Sequence, residues 1–175
     1  MNEIDFHAAL GRLLRDAALR EEFARDPSTL AARLHVRLSD RASFAALSSE
    51  EIEIQAGILM RKRFDAVRRL IPATIAKLGD RAWELFRAHA LGYWPENPGA
   101  PVRDTGRFCA ALAVSAPQSL CAAEMNRLRF HQGRNLVAVH FVRDLQIRAR
   151  TRQAIQLFFR HRRGWLEYAM HFSWN

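Results

Sequence analysis

A chain of 175 residues, 49% hydrophobic and 26% charged with eight glycines and six prolines, suffices for one ordinary domain or two small ones. Those values exclude a disordered chain, a collagen-like repeat and a disulfide-stapled miniprotein. Its 27 basic residues, of which only Lys62 and Lys77 are lysines, outnumber 18 acidic ones and give a net charge of +9, so the expected partner is anionic or polar, held by planar arginine forks.

From the N-terminus the pattern is helical. Asp5 is placed to cap a first helix carrying Phe6, Leu10, Leu13 and Leu14, and Asp16 a second with Leu19 and Phe23 one turn apart. Asp26-Pro27 joins a cap to a proline at the first helical position, where its missing N–H costs nothing, and opens a short helix with Leu30 and Leu34. Ser39 opens another with Phe44 and Leu47. The capping box Ser48-Ser49-Glu50-Glu51 starts the longest helix, whose apolar stripe runs from Ile52 to Ile71 and which Pro72 kinks or ends. The acidic Glu50, Glu51 and Glu53 suit a helix N-terminus. A further stretch reaches Leu78-Gly79, and Asp80 caps a helix with Trp83, Leu85, Phe86 and Ala90. Tyr93 to Pro101 reads as a proline-rich loop closed by aromatics, after which helices resume around Asp104–Leu112 and Pro117–Phe130.

The period then changes from 3.6 to 2. Val137, Val139, Phe141, Leu145 and Ile147 alternate with polar residues, Arg143 being the exception, which predicts a strand with one buried face. Ile155, Leu157 and Phe159 alternate before His161-Arg162-Arg163-Gly164, and Leu166, Tyr168, Met170 and Phe172 after it. A hairpin centred on Arg162-Arg163 pairs Phe159 with Leu166, Leu157 with Tyr168 and Ile155 with Met170, and a loop at Arg163-Gly164 shifts the pairs by two; either puts all six on one side, the expected buried face. The expected fold class is α+β: a helical bundle over 1–130, then a small antiparallel sheet over 131–175.

Charge follows the same division. Residues 1–100 hold 15 Lys/Arg and 14 Asp/Glu, whereas residues 127–163 hold ten arginines and the single acid Asp144. Arg148, Arg150, Arg152, Arg160, Arg162 and Arg163 are expected on or near the polar edge of the hairpin, where they either guard the edge against aggregation or help an extended peptide to add as another strand, with Arg148, Arg150, Arg152, Ile155 and Arg160 as its binding residues. Cys109 and Cys121 lack metal spacing and read as free thiols in a reducing cytoplasm. The seven histidines show no metal pairing, no nucleophile, phosphate-loop or dinucleotide motif occurs, and Glu3 and Asp5 interrupt any signal-peptide pattern. The uncharged stretch Phe108 to Ala123 is too short and too polar to span a bilayer. No catalytic, metal or cofactor residues are expected on this chain. Nucleic acid remains an alternative partner on charge alone.

Arg68-Arg69-Leu70-Ile71-Pro72, Leu78-Gly79, Trp83, Leu85-Phe86, Tyr93, Pro95, Pro98 and Phe108, then Leu120 to Leu128 with Glu124 and Arg127 inside, resemble the helical domain of partner proteins of multinuclear non-haem iron-dependent peptide oxidases. The match covers roughly residues 45–130 and departs from the family pattern at Arg129, where an acidic residue is expected. The small size and arginine-rich hairpin look most like the accessory subunits of methanobactin biosynthesis. The resemblance implies a non-catalytic cytoplasmic subunit that captures the leader of a ribosomally made precursor peptide, while iron in the partner oxidase converts cysteines to oxazolone and thioamide groups. On that implication Tyr93 and Trp94 help to dock the oxidase.

Overall fold

The computed structural model describes residues 3–91, 93–95, 100–112, 115–147, 150–161 and 164–172. Among them, nine helices precede a three-stranded antiparallel sheet, the α+β class expected from the sequence. The chain divides into two units, residues 1–63 with 90–94, and residues 64–89 with 95–175. The expected division at 130/131, helical region before and strands after, is one of secondary structure rather than of these units. The change of period does not mark the division, because the helix preceding the strands supplies the layer on which they pack.

The first unit contains α1 (Phe6–Arg15), α2 (Ala17–Arg25), α3 (Pro27–Arg33), α4 (Leu38–Ala45) and the opening turns of α5 (Ser49–Leu70). Three aspartates start the first three helices as expected. Asp5 accepts from the Ala8 amide at 2.8 Å, Asp16 from Ala18 and Leu19, and Asp26 from Thr29 with Pro27 in the first turn. Helix α4 begins one residue before the expected Ser39 and has no side-chain cap. Its Asp40 instead reaches back to the Phe6 amide at 3.1 Å. Ser48 accepts from the Glu51 amide at 3.3 Å, the forward half of the expected capping box. Leu13, Phe23, Leu30, Val36 and Phe44 form the core, with Phe23 and Phe44 edge to face at 5.3 Å. A single parallel bridge between Ile4 and Val36 closes it, and the chain reaches Val36 through His35 at φ 56°.

In the second unit Pro72 both ends α5 and opens α6 (Pro72–Leu78), which stops at Gly79 with φ 57°. Then follow α7 (Arg81–Leu91), whose last two residues belong to the first unit, α8 (Ala100–Ala111) and α9 (Ser115–Gln132). The strands are β1 (Val137–Ile147), β2 (Arg150–His161) and β3 (Gly164–Phe172). Of the expected loop, Glu96–Gly99 lie outside the described residues, while Ala100 and Pro101 already belong to α8. Phe86 packs on Phe64 at 5.4 Å and on Phe108 at 5.6 Å.

Two contacts across this unit were not legible as local patterns. The buried Glu124 of α9 accepts from the Ala73 amide at 2.8 Å, the Thr74 amide at 3.0 Å and the Thr74 hydroxyl at 2.6 Å. A carboxylate from a distant helix thus caps the first turn of α6. Cys109 of α8 and Cys121 of α9 are joined as a disulfide, with Cα atoms 5.7 Å apart. This corrects the expectation of two free thiols and removes the argument for a reducing compartment that rested on them. Both cysteines are buried, as expected, but against each other.

Candidate functional site

The sheet is ordered β1-β2-β3, so β2 is paired on both sides and β1 and β3 on one side each. The hairpin register is the first of the two expected: Ile155 opposite Met170, Leu157 opposite Tyr168, Phe159 opposite Leu166. Strand β1 extends the same rows, with Phe141 opposite Ile155, Val139 opposite Leu157 and Val137 opposite Phe159. The interruption seen at Arg143 is a register shift between Val142 and Leu145, where Asp144 turns at φ 55°. The one extra residue lets Val142 and Leu145 face the same buried side.

Which side is buried reverses the expectation. Ala154, Gln156 and Phe158 of β2 are buried, together with Val142 and Leu145, and Val142, Leu145 and Ala154 cluster with Leu120 and Ala123 of α9. The odd-numbered apolar residues face away: Val137, Val139, Phe141, Phe159, Leu166, Tyr168 and Met170 are between 38% and 77% exposed. Three rows of three apolar side chains, Val137-Phe159-Leu166, Val139-Leu157-Tyr168 and Phe141-Ile155-Met170, therefore form the outer face.

The inner face is held by polar contacts as well as apolar ones. Arg127 of α9 grips Glu167 of β3 with two bonds of 2.6 and 2.8 Å. The bond to Glu167 raises the Arg127 guanidinium above its ordinary value against the opposing effect of burial. Asn126 donates to the Gln156 side-chain oxygen at 3.2 Å, and the Gln156 amide donates to the Ala123 carbonyl at 3.2 Å. Phe130 stacks on Phe158 at 5.1 Å. An amide, a carboxylate and an aromatic thus select the face that three aliphatic-rich rows would otherwise claim.

The expected edge arginines are not at an edge. Arg150, Arg152, Ile155 and Arg160 all belong to β2, the central strand, and Arg148, Arg162 and Arg163 lie outside the described residues. Arg160 is engaged inside the chain: its Nη2 donates to the Phe130 carbonyl at 2.6 Å and the His131 carbonyl at 3.2 Å, and the guanidinium lies 5.3 Å from the Phe130 ring centre. It neutralises the carbonyl end of α9. Arg152 buries its Nε atom without a hydrogen-bond partner. Alternation along β2 displayed these arginines but could not reveal that two other strands would flank it.

Tyr93 and Trp94 are half-buried in the first unit. Arg63 donates to the Tyr93 carbonyl at 2.9 Å and lies 4.6 Å over the Trp94 ring, with Arg15 at 5.8 Å. The indole is thus already a platform for two cations of its own chain.

Elsewhere His89 lies 3.4 Å from Asp104 among Phe86 and Phe108, a buried pair enclosed by aromatic rings. A cleft of about 210 Å³ between α8 and α9, lined by Gly106, Cys109, Gln118, Met125, Asn126 and Arg129 among others, is below the ~300 Å³ at which small-molecule pockets begin. Among the described residues no three His, Cys, Asp or Glu side chains converge as for a metal ion, and no helix is long and apolar enough to cross a membrane. The described sheet offers recognition chemistry instead: two backbone ladders open on one side, and a broad apolar face. No protein-family model, curated protein or solved structure matches the chain.

Proposed function

We propose that this chain is a non-catalytic, peptide-binding subunit: the partner of an iron-dependent oxidase that modifies cysteines of a ribosomally made, copper-chelating precursor peptide. It takes the leader of that peptide as a fourth strand. The observation that supports this reading is the sheet order, in which β1 and β3 each pair on one side only. An outer strand presents N–H and C=O groups at the spacing of an extended peptide, and pairing with them gives affinity without a catalytic group. The oxidase class and the iron come from the family resemblance alone.

The sheet order moves the point of attachment. Arg150, Arg152, Ile155 and Arg160 occupy the central strand, so a leader adds beside β1 or β3, and those residues act through the strands that flank them. Held there, the remainder of the peptide is presented to the partner subunit at a high local concentration.

Isothermal titration of the chain with the leader segment tests the reading. Binding should survive side-chain truncation of the leader at alternate positions better than N-methylation of its backbone. Removing three ladder bonds at about 1 kcal/mol each weakens binding by roughly two orders of magnitude. Equal tolerance of N-methylation would exclude strand addition. The rival reading, nucleic-acid binding, rests on the basic charge, part of which Arg127 and Arg160 spend on Glu167 and on helix carbonyls. Phosphate binding would weaken steeply with salt, and strand addition only mildly.

A further inference from the structure

We propose that the outer face of the sheet is a self-association surface, on which a second copy of this chain docks face to face. The three rows of three apolar residues are its contact. Seven of the nine are substantially exposed, including Phe141 at 77% and Tyr168 at 55%. Large side chains carry ~150–250 Å² each, so these seven offer roughly 700 Å² of mostly apolar surface. That exceeds the ~300–600 Å² of the largest apolar patch on a typical monomer. Two such faces bury about 1,400 Å² together, inside the ~1,200–2,000 Å² range of specific interfaces.

Geometry and charge both favour a copy of the same chain. Leu157 of the central strand stands at the middle of the three rows. A two-fold axis beside it lays the rows of one copy on those of the other, as an isologous interface requires. Two three-stranded sheets then pack at about 10 Å, the ordinary separation of a β-sandwich. None of the nine side chains is charged. Two arginines of β2 do not oppose the contact: Arg160 is bonded to carbonyls of α9, on the inner side, and Arg152 lies opposite the inward-facing Leu145. Arg143 and Asp144, of opposite charge and both exposed, stand at the bulge that follows Phe141. The net charge of +9 opposes association of copies through the solvent, so salt should strengthen the dimer, the reverse of a contact made by ion pairs. Strand addition uses backbone edges rather than this face, so either proposal can fail alone.

Sedimentation equilibrium of the full chain, at micromolar concentration and at two ionic strengths, tests this. The expected result is twice the chain mass, with tighter association at the higher salt. The double variant Phe141→Glu/Tyr168→Glu, whose wild-type side chains are exposed, should sediment as a monomer with an unchanged circular dichroism spectrum. Independently, Leu157→Cys should form an interchain disulfide on mild oxidation, a readout that stands if the double variant does not fold. A wild-type chain that stays monomeric throughout, or a dimer that persists in the folded double variant, overturns the proposal; the former leaves the face to a different protein.

Discussion

Glu124 brings a charged acceptor to three donors at the start of α6, two of them on the buried Thr74. Glu124→Ala leaves the Ala73 and Thr74 amides and the Thr74 hydroxyl unsatisfied, and at ~1–3 kcal/mol for stranded buried groups the variant should lose about 3 kcal/mol. Urea unfolding checks this, and a loss below about 1 kcal/mol would mean that α6 is capped by other groups. Asp26 works at the surface and responds to pH. The Thr29 hydroxyl, then the Thr29 amide, hold its carboxyl below the ordinary value of 3.8. Its contribution is therefore complete above the unfolded value and lost as pH falls through the folded one. Thermal unfolding at about pH 5 and about pH 3 should show Asp26→Asn losing less stability on acidification than the wild type. An identical loss in both would remove Asp26 from the acid response. The caps Asp5, Asp16 and Asp26 were readable in the sequence because donor and acceptor lie within three residues. Glu124 was not readable as a cap, because its partners lie some fifty residues away.

At the scale of elements, helix limits and strand register followed local rules, and the pairing of elements did not. The alternation excluded a slip by one residue, which would turn every side chain over, but not a shift by two, and the structure adopts the register with Phe159 opposite Leu166. The disulfide is the opposite case. Cys109 and Cys121 are twelve residues apart in sequence, on two helices whose relative placement decides whether their sulfurs meet. A loop of that size constrains the unfolded chain by ~3 kcal/mol, so reduction should lower the unfolding free energy by about that amount. Denaturant unfolding with and without a thiol reductant measures it, and coincident curves would show that the helix pair holds without the bond. Both residues are buried, so the bond should resist reduction in the native state and yield as the chain opens.

For the molecule as a whole, the net charge proved a guide to region but not to surface. Ten arginines between 127 and 163 suggested a sheet edge lined with cations. Instead Arg127 holds α9 to β3, Arg160 closes the end of α9, and the central strand carries the residues once expected at the rim. The same salt series therefore reports at molecular scale: mild weakening for an added peptide strand, strengthening for a face-to-face dimer, and steep weakening for nucleic acid. The sequence by itself determined the order of elements, the aspartate caps, the change of period near residue 137 and which hairpin residues share a face. Each depends on neighbours along the chain or on one short turn. Tertiary structure alone decided the position of the unit boundary, the disulfide, the capping of α6 by Glu124, and which side of the sheet is covered. Alternation defines two faces but does not say where a helix will lie. Here Asn126, Arg127 and Phe130 of α9 find Gln156, Glu167 and Phe158 on one face, and three apolar rows are left on the other.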